Sequence, residues 1–331
     1  MCSKEEADFV PAPFHLSANY VIEVRTVLRK LFIAGVIVAV VGLLGLAILT
    51  KPQAIPVRAL GPHQPNLENG RTLFLAGNCG SCHALPNQDD ATKLGGGGAM
   101  KTPFGTFYAP NISPDEKDGI GSWTEAQFVT ALARGTSPDN AHYYPAFPYP
   151  SFQRMSFGDL RDLFAYIKTL PKVTGDAPAH DLSFPFNIRA SLGGWKLLFL
   201  EAEPFRPDPT KSAEWNRGAY LVNGPAHCAE CHSPRNFLGG IVQSQRFAGG
   251  PDPEGEGFVP NITQKGLGDW SEKDIASLLA TGDLPDGDRV GGSMVKVVRN
   301  TAELSPEDRA AIAAYIKSLP PVDGPRRPQQ N

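Results

Sequence analysis

Two five-residue runs, Cys79-Gly80-Ser81-Cys82-His83 and Cys228-Ala229-Glu230-Cys231-His232, hold four of the chain's five cysteines. Each is a C-x-x-C-H motif, the spacing that attaches c-type haem covalently. Two thiols one helical turn apart can form thioethers with the haem vinyls, and the histidine that follows is then placed under the iron as its proximal ligand. A structural zinc clip or a thioredoxin-like dithiol uses the same C-x-x-C. Zinc needs a second pair close by to complete four ligands, whereas these pairs lie 149 residues apart and each has its own histidine. The motifs therefore point to two covalently bound c-type haems, held by Cys79, Cys82, Cys228 and Cys231, with His83 and His232 as proximal ligands.

The same 149-residue offset relates Tyr166-Ile167-Lys168 before Leu170-Pro171 to Tyr315-Ile316-Lys317 before Leu319-Pro320. Pro110-Asn111-Ile112-Ser113 followed by Trp123 is answered by Pro260-Asn261-Ile262-Thr263 followed by Trp270, shifted by one to three residues. The chain is thus an internal duplication of two small haem domains. Helices are expected where those domains need them. Leu67 to Ala76 and Glu214 to Val222 lead into the motifs, with Gly70 and Gly218 small enough to let another helix approach closely. Thr124 with Gln127 forms a capping box, Ser271 caps a further helix, and the closing helices start at Ser156 and at Ser305-Pro306. Their apolar stripes are Leu160, Leu163, Phe164, Ile167 and Ala310, Ile312, Ala313, Ile316. No β-alternation of useful length is visible, so each domain reads as mostly α.

Ahead of the repeat, Leu31 to Thr50 runs for 20 residues without a charge, the length of a bilayer span. A signal peptide has a shorter apolar core followed by a small-x-small site, whereas this run ends in Leu-Thr-Lys-Pro, so an uncleaved anchor is expected. Arg25, Arg29 and Lys30 on its N-terminal flank favour a cytoplasmic N-terminus, with Cys2 on that side and everything after residue 50 exported. A net charge of −3 without a long basic run argues against nucleic acid as a partner. With 31 Pro and 34 Gly, long loops should outweigh regular structure.

Thr102-Pro103-Phe104-Gly105, Pro110-Asn111-Ile112, Tyr144-Pro145-Ala146-Phe147-Pro148-Tyr149 and the two haem motifs together resemble the cytochrome c subunits of bacterial membrane-bound dehydrogenases, the group serving alcohol, gluconate and related dehydrogenases. The likeness covers roughly residues 63 to 322. Many such subunits carry three haems, and this chain has motifs for two. The resemblance implies that electrons come from a periplasmic dehydrogenase subunit and leave toward quinone or a terminal oxidase.

A carrier of this kind needs a methionine opposite each histidine. For the second haem the candidate is Met294, 62 residues after His232. For the first, the choice lies between Met155, 72 residues after His83 and just before the closing helix, and Met100, 17 residues after it. In the resembling family a methionine often stands where this chain has Phe147. Met155, eight residues later, is preferred, with His142 as a third choice.

Gly95 to Thr102 imitates a phosphate-binding loop, but Met100 replaces the required glycine and no strand precedes it, so a flexible loop is expected. Asn111-Ile112-Ser113 and Asn261-Ile262-Thr263 fit the glycosylation pattern, yet their recurrence suggests that they shape the loops at the haem edge. Trp123 and Trp270 could donate to haem propionates or serve as core aromatics. His227 is too near Cys228 to reach the distal face, and His15, His63 and His180 read as surface histidines. Between the domains, the apolar stretch Trp195 to Leu200 could dock a partner or lie on the membrane, but packing in the cleft between domains is favoured.

The expected organisation is a cytoplasmic tail over 1–30, a transmembrane helix over 31–50, a linker over 51–62, a first cytochrome c domain over 63–171, an inter-domain linker over 172–210, a second domain over 211–322 and a tail over 323–331. The expected function is electron transfer at the periplasmic face of the bacterial inner membrane. A dihaem peroxidase-like enzyme with one haem lacking methionine, or a free-standing anchored donor to an oxidase, are the rival readings.

Overall fold

The computed structural model describes residues 18–201, 203–253 and 257–327, so Cys2 and His15 lie outside the described residues. The chain forms two compact units, Met1–Lys51 and Pro52–Asn331. In the first, α1 (Ala18–Leu49) is a single helix. Its stretch Arg25–Leu49 is 25 residues long and apolar enough to cross a membrane; at about 1.5 Å per residue it reaches roughly 37 Å. Leu31, Phe32, Val38, Leu43 and Ile48 all point outward, and a helix apolar on every side calls for an apolar surrounding.

In the second unit, Asn66 caps α2 (Leu67–Ala76) by accepting from the Asn69 amide at 3.0 Å. Then α3 (Cys79–His83) follows a left-handed Asn78, φ 52°. A hairpin of β1 (Ala99–Thr102) and β2 (Gly105–Tyr108) precedes α4 (Glu125–Arg134), which carries the Thr124–Gln127 capping box. After α5 (Tyr149–Phe152), α6 (Phe157–Ile167) starts at its Ser156 cap. Past β3 (Asp181–Leu182) and α7 (Leu192–Phe199), the helix order repeats. It runs α8 (Ala213–Asn223), α9 (Ala229–His232), α10 (Gln264–Leu267), α11 (Glu272–Thr281), α12 (Met294–Thr301) and α13 (Pro306–Lys317), with a two-residue pair β4 (Gly250–Pro251) and β5 (Phe258–Val259) between α9 and α10. Ser271 forms a capping box with Asp274, and Ser305 caps α13 with Pro306 in its first turn.

Each half is built on one helix crossing. Helix α2 packs on α6 and α8 on α13, and both crossings close at a glycine. A Cβ on Gly70 would stand 2.2 Å from the Asp162 carbonyl oxygen, and one on Gly218 would stand 1.8 Å from that of Ala311. Behind the first crossing lies a core of Leu73, Phe74, Val129, Leu160 and Phe164, and behind the second one of Leu221, Val222, Ile275, Leu279 and Ile312. Ala311 is the fully covered residue facing Gly218, while the expected Ala310 is half-buried.

Three further expectations are corrected. The run Gly95 to Thr102 is not a flexible loop: Gly95 and Gly96 are buried and Ala99–Thr102 is strand β1, with Met100 opposite Phe107. The small antiparallel sheet continues to β3, where Gly105 faces Leu182; strands this short leave no alternation to read. His63 is no ordinary surface histidine, for its Nε2 lies 2.6 Å from Asp162, whose carboxylate also accepts from the Asn66 amide at 2.8 Å and the Asn69 side chain at 2.8 Å. Burial pushes the Asp162 carboxyl upward, but those donors together outweigh it and hold it below the usual range. Asp162→Ala is expected to cost about 3 kcal/mol in thermal unfolding, the scale of a broken buried pair. A carboxyl lowered by folding stabilises above its unfolded pKa and ceases to do so as pH falls through its folded value. The penalty should therefore shrink below about pH 4.

Residues outside the repeat also pack. Ile55 joins the first core and its amide donates to Thr130 Oγ1 at 3.0 Å. In α7, Lys196 Nζ donates to the carbonyls of Arg134 and Gly135 at 2.7 and 2.6 Å, while Trp195 Nε1 donates to the Leu238 carbonyl at 2.9 Å. The apolar stretch thus straps one half to the other, as its favoured reading required; Leu197 and Leu198 remain exposed.

Candidate functional site

Two residues link α2 to α3 and five link α8 to α9, and these short connections place each cysteine pair beside a helix crossing. Cys79, Cys82 and His83 share α3, and Cys228 caps the one-turn α9 that carries Cys231 and His232. Burial, with the neighbouring Cys82, pushes the Cys79 thiol up to about 12, and burial pushes Cys228 up to about 11. A redox dithiol works by the opposite shift, toward the thiolate. Among the described residues no group of three or more His, Cys, Asp or Glu side chains converges as a metal site.

Both histidines are oriented in the same way. His83 Nδ1 lies 2.8 Å from the Pro110 carbonyl oxygen and His232 Nδ1 lies 2.8 Å from that of Pro260. A carbonyl can only accept, so the proton sits on Nδ1 and Nε2 keeps its lone pair, as a metal ligand must. Burial lowers both imidazole pKa values against the pull of these carbonyls, which favours the neutral, ligating form. The donor set therefore fits a histidine-ligated haem in each half.

The loops that supply those carbonyls are held by the Asn-Ile-Ser/Thr runs. Asn111 donates to the Val173 and Gly175 carbonyls at 2.8 and 3.0 Å and accepts from the Ser113 amide at 2.9 Å. Asn261 repeats this with Val322 and Thr263, both at 2.8 Å. Two glycines that sequence reading overlooked complete the cradle. Gly96 and Gly249 donate their amides to the His83 and His232 carbonyls, both at 2.8 Å, with φ +73° and +75°. A Cβ on Gly96 would come within 2.5 Å of the Pro110 carbonyl carbon, and one on Gly249 within 2.8 Å of that of Pro260. Their distances from the motifs differ between the halves, which hides them from a fixed-offset comparison.

The candidate sixth ligands are separated by packing. Met155 is fully buried in the first core, against which Cys79 also packs. Met100 instead joins Phe107, Tyr144 and Leu192 in a separate cluster around the hairpin. His142 is buried at a bridge to Thr136. Met294 opens α12 and packs, half-buried, against the second core together with Cys228. The two methionines do not occupy equivalent places. Met155 and Leu304 each immediately precede a capping serine, whereas Phe147 and Met294 each lie four residues after the amide that donates back to a left-handed glycine, Tyr143 to Gly135 and Val290 to Gly282. Trp123 and Trp270 pack against their respective cores.

Residues 67–171 and 216–320 each match the family model described as Cytochrome c. A diheme cytochrome c-type protein of Cereibacter sphaeroides is 46% identical over 299 residues, covering 89% of this chain and 100% of that protein. The fructose dehydrogenase cytochrome subunit of Gluconobacter japonicus is 41% identical over 264 residues, 78% of this chain and 53% of the relative. The alcohol dehydrogenase (quinone) cytochrome c subunit of Komagataeibacter europaeus is 38% identical over 270 residues, 77% and 56% respectively. The chain spans about half the length of these last two relatives.

Proposed function

The chain belongs to the cytochrome c family, with two such domains in tandem, and from that premise we propose that it carries electrons from a periplasmic dehydrogenase subunit toward quinone or a terminal oxidase, held on the bacterial inner membrane by α1. Haem iron supplies the one-electron couple. Cys79 and Cys82 would hold one haem by thioethers and Cys228 and Cys231 the other, with His83 and His232 as proximal ligands. Met155 and Met294 would complete the ligand sets, and a methionine paired with histidine on one iron would raise its potential and close it to substrate. The observation that carries this reading is the paired His–Pro hydrogen bond, made twice at 2.8 Å beside a C-x-x-C: it sets the tautomer that a metal ligand needs and has no use in a dithiol.

The membrane part of the proposal rests on the length and apolarity of Arg25–Leu49 and on the basic residues at its start. With a net charge of −3, long-range steering of a diffusing partner is weak. A stable subunit contact suits such a surface better than a passing encounter. Extraction of membranes in mild detergent is expected to bring the chain out with a dehydrogenase, and the haems should be reduced by that enzyme's substrate only when the enzyme is present. A soluble protein beginning near residue 52 would overturn the anchor, and a lone cytochrome that turns over peroxide would overturn the carrier.

A further inference from the structure

The second variable residue of each C-x-x-C-H motif, Ser81 in one and Glu230 in the other, is bonded across to the opposite domain. Ser151 Oγ donates to Glu230 Oε1 at 2.7 Å, and both side chains are buried. Ser151 lies on α5, four residues ahead of Met155. In the reverse direction Asn300, on the helix that Met294 opens, donates through Nδ2 to Ser81 Oγ at 3.1 Å and to Asn78 Oδ1 at 2.5 Å. The residues just before the motifs also meet. His227, left-handed at φ 39° like Asn78, lies with Nε2 3.2 Å from the Gly77 carbonyl. Arg235 closes the Glu230 site, with NH2 2.7 Å from Oε2.

From this reciprocity we propose that Ser151 and Asn300 are positioning residues through which the segment bearing each sixth ligand sets the potential of the other domain's haem. The inference rests on the reading of Met155 and Met294 given above. The physical cause is local. Glu230 is a buried carboxylate one residue before Cys231, and Ser151 offsets part of its charge, so losing the hydroxyl strengthens the negative field at the second haem and favours its oxidised state. Asn300 is the corresponding donor at the first motif, and its loss leaves the Asn78 and Ser81 oxygens with less compensation. Each effect crosses from one domain to the other.

The test is spectroelectrochemical titration of the full chain carrying two haems. The two couples are first assigned by the variant pair Met155→Leu and Met294→Leu. Ser151→Ala is then expected to lower the potential of the second haem, and Asn300→Ala that of the first. Each should change the oxidised-to-reduced ratio at fixed potential by three- to tenfold, the latter being 59 mV for one electron. Ser151→Thr, which keeps the hydroxyl, should restore the second haem's value. In the Glu230→Gln background, Ser151→Ala should no longer move that couple. Shifts confined to the haem of the mutated residue's own domain, or no shift with two haems bound, would overturn the proposal. Failure of the ligand reading shows separately, as a sulfur-to-iron band left at full strength in Met155→Leu or Met294→Leu.

Discussion

Gly218→Val is expected to leave a protein that holds one haem instead of two. The Cβ of residue 218 would stand 1.8 Å from the Ala311 carbonyl oxygen and 2.5 Å from its carbon, a clash with backbone that no rotamer can relieve. Ordinary overpacking costs about 1–3 kcal/mol; here α8 and α13 must separate, and the loss should exceed about 4 kcal/mol, against total stabilities of roughly 5–15 kcal/mol for a domain. Separation also breaks the Arg217–Asp308 pair beside the crossing, whose two bonds are 2.7 and 3.0 Å. Because only four residues link α8 to Cys228, the displaced helix moves the motif away from the Pro260 carbonyl that orients His232. The haem-to-protein ratio and peptide-resolved covalent haem report the result. Gly194, where an added Cβ meets nothing within 4 Å, provides the control: Gly194→Ala should keep both haems. Two haems and an unchanged melting temperature in Gly218→Val would refute the crossing.

Motif and helix-cap signals confined to one turn were legible in the sequence and long-range ones were not. The haem motifs could be read because covalent attachment fixes five consecutive residue types. The starts at Thr124, Ser156, Ser271 and Ser305 could be read because a cap bonds an amide three residues on, within one turn. The sheet was missed because β1 and β2 have only four residues each, too few to show an alternation, and β2 pairs with β3 more than 70 residues later through only two register positions, Gly105 with Leu182 and Thr106 with Asp181. His63 was misread for the same reason, since its partner Asp162 lies on the closing helix. Gly96 and Gly249 have a conformational signature, a positive φ at a close approach, that composition does not distinguish from the other glycines of a glycine-rich chain. The bonds from Ser151 and Asn300 were beyond any reading of the motifs alone, because the variable positions inside C-x-x-C-H carry no chemistry of their own until the other domain is placed against them.

Removing either methionine sulfur is expected to halve the ferric protein's sulfur-to-iron charge-transfer band and to lower the potential of one haem. Ligand loss and core damage must be separated, because the two sites differ in burial. Met155 is fully buried among Leu73, Phe74 and Leu160, and truncating such a side chain to alanine costs about 2–5 kcal/mol whatever its sulfur does. Met155→Leu keeps the volume and usually costs less than about 1.5 kcal/mol, so it tests the sulfur alone. Met294 is half-buried at the start of α12 and tolerates either replacement with a smaller loss. Half the band should disappear in each single variant and all of it in the double variant. If Met155→Leu leaves the band whole while Met294→Leu halves it, the sulfur on the first haem comes from Met100; the same pair of variants with a half-strength band already present in the unmodified chain would place a nitrogen ligand such as His142 there instead. Packing favours Met155 over Met100, because Cys79 packs against the core that holds Met155, whereas Met100 is tied to Phe107 in the hairpin. The half-strength loss in Met155→Leu is therefore the outcome expected from the proposed ligand pair.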